Sequence, residues 1–108
     1  MRVLEYLDGS GRSPFRRWLD RLDASAAAKV TIALTRLGLD NLSNVKGVGH
    51  GVFETRIDFG PGYRVYFGRD GDVLVILLGG GTKTRQGLDI ADAHERWADY
   101  KRRKKEVT

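Results

Sequence analysis

Apolar residues recur in two rhythms along this chain, and each rhythm predicts its own kind of element. Residues 2–7, RVLEYL, read as a first strand. Gly9-Ser10-Gly11 marks a turn, and Ser13-Pro14 then has the form of an N-cap with proline at the first helical position. Phe15, Trp18, Leu19 and Leu22 follow at helical spacing. Asp23 or Ser25 can cap a second helix, whose apolar stripe is Ala26, Val30, Ala33, Leu34 and Leu37 and whose stop is Gly38. Residues 13–38 are therefore expected to form a helical hairpin.

The rhythm changes after a polar, glycine-rich loop over residues 41–51. Three runs, 52–58, 62–68 and 72–78, predict strands; the first two alternate, and the third is a continuous apolar run compatible with burial on both faces. Phe59-Gly60-Pro61 and Arg69-Asp70-Gly71 supply the turns between them, and the close spacing predicts an antiparallel meander. GGGTKTRQG, residues 79–87, reads as a loop with a sharp glycine turn. A last helix is expected from Leu88 to Tyr100, with Ile90, Ala93, Trp97 and Tyr100 inward. The prediction is a small α+β domain of order β-α-α-β-β-β-α over residues 1–100. It has an antiparallel-rich sheet, a helical hairpin on one face and a C-terminal helix, and part of the other face is left open. A basic tail over 101–108 is expected to fray.

Alternation also sorts the strand side chains into faces. Phe53, Thr55 and Ile57 share one side with Tyr63, Val65 and Phe67. Glu54, Arg56, Arg64 and Tyr66 share the other, provided the two strands pair through the intervening turn. Lys46 is expected to enter this second face from the preceding loop, and Lys83 and Arg85 from the loop after the last strand. Such a grouping suits a phosphodiester, with Tyr66 available to stack on a base. On spacing alone, a solvated outer face is the commoner meaning of the same pattern.

Charge and composition narrow the picture further. The chain has 108 residues and 41% hydrophobic residues, enough for one core. Its net charge of +5 is concentrated in Lys101–Lys105; residues 1–100 hold 14 basic and 13 acidic groups, a net of +1. Any anion site in the domain must then come from local placement. The basic tail suits either nucleic-acid binding or a disordered, solubilising end. With no cysteine, neither a disulfide framework nor a thiolate zinc site can form. No apolar stretch has the length of a signal peptide core or a membrane span, so a cytoplasmic protein without a membrane partner is expected. His50 and His94 lie far apart in sequence with no carboxylate at ligand spacing, which argues against a metal site. His94 reads as a helix-surface residue. Gly79–Gly81 lacks the spacing of a phosphate-binding loop, and no Ser-His-Asp order is present. Trp18 and Trp97 fall on apolar stripes and read as core.

Three segments together, VKGVGHGV, ETRIDFGPGYRVYF and LLGGGTKTRQGLDIADA, resemble the RelE/ParE superfamily of bacterial toxins. The likeness is to its HigB-like branch, also labelled phage-derived or addiction-module killer proteins. It runs from the Phe15-Trp18-Leu19 helix to the Asp89-Ile90-Ala93 helix start. The branch usually carries Asp where this chain has Thr82. The resemblance implies the toxin of a type II toxin–antitoxin system. Its RelE-like members are ribosome-dependent endoribonucleases that cut messenger RNA without a metal or other cofactor, the ribose 2′-hydroxyl attacking the adjacent phosphate. It places Arg56 and Arg64 on that phosphate, Arg64 at the G-Y-R arginine and Lys83 at the basic loop residue. Lys46 and Arg85 would be further RNA contacts, and Tyr66 would orient or stack a base. The proton acceptor stays open: a lysine or tyrosine whose pKa is lowered by neighbouring cations, Glu54 as the carboxylate of that face, or His50 as a fallback; the motif around Tyr100 does not match the family's C-terminal tyrosine. The implied partners are the ribosome, messenger RNA and an antitoxin, commonly a helix-turn-helix protein through which the complex reaches operator DNA. ParE-like relatives share the fold and instead inhibit DNA gyrase, and a degenerate toxin would bind its antitoxin alone.

Overall fold

The computed structural model describes residues 1–72 and 74–106. Along the chain run β1 (Arg2–Glu5), α1 (Pro14–Asp20), α2 (Ala24–Gly38), β2 (Val45–Gly47), β3 (Val52–Ile57), β4 (Tyr63–Asp70), β5 (Leu74–Thr82), a 3-10 turn (Lys83–Arg85) and α3 (Gln86–Glu106). The fold is α+β, and its five strands form one mixed sheet in the order β1-β5-β4-β3-β2. The β3–β4–β5 part is the expected antiparallel meander, and β1 joins it in parallel alongside β5. The short strand β2 was not anticipated. It is three residues of the polar loop that pair antiparallel with β3, setting Lys46 opposite Glu54.

Local chemistry accounts for the helix starts. Ser13 accepts a hydrogen bond from the Arg16 amide at 3.0 Å, and Pro14 fills the first helical position, where its missing N–H costs nothing. Of the two candidate caps for α2, Asp23 performs the role, accepting from the Ala26 amide at 2.8 Å.

Three expectations need correction at the C-terminal half. The glycine run is not a loop: β5 continues through it to Thr82. A bulge opposite Tyr66 and Phe67 gives β5 one extra residue, after which Gly80 faces α1, while Gly79 and Gly81 face α3. A Cβ on Gly80 would stand 2.3 Å from Trp18, and one on Gly81 would stand 2.1 Å from the Asp89 carboxylate. Helices thus sit directly on bare backbone there, a reason for glycine that differs from turn formation. Second, α3 begins two residues earlier than expected and runs on to Glu106, so residues 101–106 are ordered helix and not a frayed tail. Val107 and Thr108 lie outside the described residues, as does Val73 in the expected 72–78 strand. Third, helices pack on both faces of the sheet and not mainly on one, although part of the α3 face stays open as expected. One core joins Phe15, Trp18, Val30 and Leu37 of α1 and α2 to Val65, Phe67, Val75 and Leu77. The other joins Ala93 and Trp97 of α3 to Val52, Tyr66, Ile76 and Leu78. The unbroken apolar run of β5 follows from this, since it is buried on both faces. Among the described residues, no helix is long and apolar enough to cross a membrane.

Candidate functional site

Register decides which charged side chains meet. Arg56 and Arg64 are directly opposed across β3 and β4, so both fall on the α3 side of the sheet. The same alternation turns Phe53 and Ile57 to the opposite core. Neighbouring α3 covers only part of the α3 side. It leaves an open cavity of about 380 Å³ at the β3–β4 turn, lined by Arg56, Arg64 and Lys83 together with Asp58 and Tyr63. The three residues expected at a phosphate are therefore brought together. Arg56 is the most accessible of the pair, with its side chain 56% exposed, against 12% for Arg64.

Behind Arg64 lies Glu54, whose side chain is fully buried. Its Oε1 accepts a hydrogen bond from Gln86 Nε2 at 2.8 Å and sits 3.4 Å from Arg64 Nε; Lys46 Nζ stands 3.6 Å from Oε2. A carboxylate out of water is tolerated only with compensating charge and hydrogen bonds. Here one short hydrogen bond and two looser cations provide it. The consequence is positional: Glu54 anchors the Arg64 guanidinium at the cavity wall. Lys46 itself lies next door, beside Arg56 and Asp58, in a second shallow cavity.

Two of the expected RNA contacts are not where the sequence placed them. Tyr66 is fully buried under α3, directly opposite Glu54, and presents no ring face to a base. Burial, and then the charge of Glu54, push its hydroxyl well above the ordinary phenol range, which also rules it out as a proton acceptor. Arg85 lines a different cavity, between α1 and α3, in the company of Asp89 and Asp92. Burial raises the Asp89 carboxyl above its usual range despite the opposing charge of Arg85.

The histidines also need correction. His50 and His94 are neighbours in space, with ring centroids 4.4 Å apart, and His94 Nε2 lies 3.0 Å from the Val48 carbonyl. They close the β2–β3 hairpin onto α3 and do not line the arginine cavity. Among the described residues, no cluster of three or more His, Cys, Asp or Glu is arranged to hold a metal ion.

Sequence reasoning missed Asp58, Tyr63 and Gln86. For Asp58 the signal existed: it continues the alternation Glu54-Arg56-Asp58 on one face, and its Oδ1 lies 3.7 Å from Arg56. Gln86 was hidden because α3 starts earlier than its apolar stripe suggests.

No protein-family model matches the chain. Over 80 residues it is 46% identical to an uncharacterized protein of Haemophilus influenzae, a stretch covering 73% of this chain and 81% of that one. At that identity and coverage the two share a fold and an ancestry, and the chain belongs to the same family as the Haemophilus influenzae protein.

Proposed function

We propose that this protein is a RelE-like toxin of a type II toxin–antitoxin system and cleaves messenger RNA on the ribosome. One observation carries the reading: two arginines opposed across neighbouring strands share an open cavity with a lysine from a third element. Three cations around one concavity suit the charge that develops on a phosphate under attack. Arg56 and Lys83 hold the non-bridging oxygens, and Arg64, fixed by Glu54, supplies a guanidinium that needs no reorganisation. Glu54 lies too deep to reach a ribose. Asp58 is the carboxylate facing the cavity, and in this reading it takes the 2′-hydroxyl proton as that oxygen attacks the adjacent phosphate; the bond from phosphorus to the 5′-oxygen breaks, leaving a 2′,3′-cyclic phosphate and a 5′-oxygen that takes a proton from solvent. An antitoxin would silence the protein by covering this concavity with acidic residues, and would carry the operator-DNA contacts.

Growth of cells expressing the protein tests the proposal. Arg56→Ala and Lys83→Ala, both at accessible positions, should each relieve growth arrest while leaving the folded protein at normal abundance. Full arrest by the double variant would remove the cavity from the mechanism. Arrest accompanied by double-strand DNA breaks and intact messenger RNA would point to gyrase instead.

A further inference from the structure

The five cations of Lys101–Lys105 take no part in the cleft, yet they are held in place. They form the last turns of α3, where positive charge also complements the helix dipole. Arg103 donates to the Leu7 carbonyl, pairs with Asp99 at 2.6 Å and lies over the Tyr6 ring. Lys104 Nζ is 2.6 Å from Asp70, which also accepts from the Tyr100 hydroxyl at 2.7 Å. The basic run is thus docked at the Asp70 end of β4. Arg69 there is five residues along the strand from Arg64, about 17 Å at the usual rise.

Beside this helix end is a cavity of about 280 Å³. Trp97 and Tyr100, stacked with centroids 5.2 Å apart, line it together with Asp70 and the cations Arg69, Lys101 and Lys105. Lys101 Nζ lies 5.7 Å from the Trp97 ring. We infer that this cavity forms a second, single-stranded RNA site, with phosphates on Arg69, Lys101 and Lys105 and one base against Tyr100. Two features select this ligand. Arg69 and residues 101–105 contribute six cations at this end against the carboxylates of Asp70, Asp99 and Glu106, so the patch favours a polyanion. Trp97 is buried between Gly68 and Tyr100, so the half-buried Tyr100 is the ring that a splayed base would meet. A membrane surface would instead require rings that protrude.

The site does not rest on the nuclease reading, and its test measures binding without ribosomes. Purified full-length protein carrying Arg56→Ala and Lys83→Ala, so that the cleft is disabled, is titrated into a labelled 12-nucleotide oligouridine by fluorescence anisotropy. Adding Lys101→Ala and Lys105→Ala should weaken binding about tenfold at 0.1 M salt. The slope of log affinity on log salt should become shallower by about 1.4, the value for two lost phosphate contacts on a single strand. Lys101→Arg with Lys105→Arg should keep the affinity. A change below twofold with an unaltered slope, in a protein whose thermal midpoint is unchanged, would overturn the site. Equal affinity for an abasic ribose-phosphate oligomer would overturn the base contact with Tyr100. Binding to phosphatidylserine vesicles under salt conditions where the RNA stays free would replace RNA by a lipid surface.

Discussion

Arg56 and Arg64 line the same cavity but differ in what holds them, and the difference is measurable. Arg56 is exposed, and its partner at 3.7 Å is the still more exposed Asp58, so Arg56→Ala should change unfolding free energy in urea by no more than about 0.5 kcal/mol. Arg64 is a neighbour of a buried carboxylate. Removing it leaves Glu54 with only Gln86 and the largely exposed Lys46, and Arg64→Ala should cost about 3 kcal/mol, the lower end for breaking a buried pair. Equal stability of the two variants would show that Glu54 does not depend on Arg64. Asp89 behaves in the opposite sense. Its folded-state carboxyl is raised by burial, so its contribution is favourable below the unfolded carboxylate range and is lost as pH rises through the raised value. Asp89→Asn should therefore raise the thermal midpoint at pH 7 and lose that advantage near pH 3. A midpoint at pH 7 that falls would mean that the Arg85 and helix N-terminal charges outweigh burial.

The elements were legible where one periodicity acted alone. The caps at Ser13 and Asp23, the stripe of α2 and the alternation through β3 and β4 each come from local chemistry that the sequence displays. What stayed hidden depended on contacts between distant segments. Gly79–Gly81 has the composition of a turn, and only the approach of Trp18 and Asp89 explains it as strand. Gly80→Ala should cost about 1–3 kcal/mol through overpacking against Trp18; an unchanged unfolding midpoint would show that the indole has room to shift. Residues 101–106 have the composition of a solvated tail, but Arg103 and Lys104 fasten them to the segment after β1 and to β4. Tyr66 was misplaced for a related reason: alternation gives its face correctly and says nothing of whether a helix covers that face.

At the scale of the whole molecule, the two cationic surfaces occupy opposite ends of β4, with α3 covering the sheet between them. In the proposed reading, one strand of RNA is gripped at the cavity and steadied at a distance, while a net charge near zero over residues 1–100 limits nonspecific attraction elsewhere. The central claim is that Arg56, Arg64 and Lys83 cradle one scissile RNA linkage. Mapping the 5′ ends of messenger RNA after brief induction, in cells carrying the native protein or its Arg56→Ala variant, tests that claim most directly. The account predicts new ends inside translated reading frames for the native protein and their disappearance in the variant. Identical end maps for the two proteins, or no new ends with the native one, would contradict it.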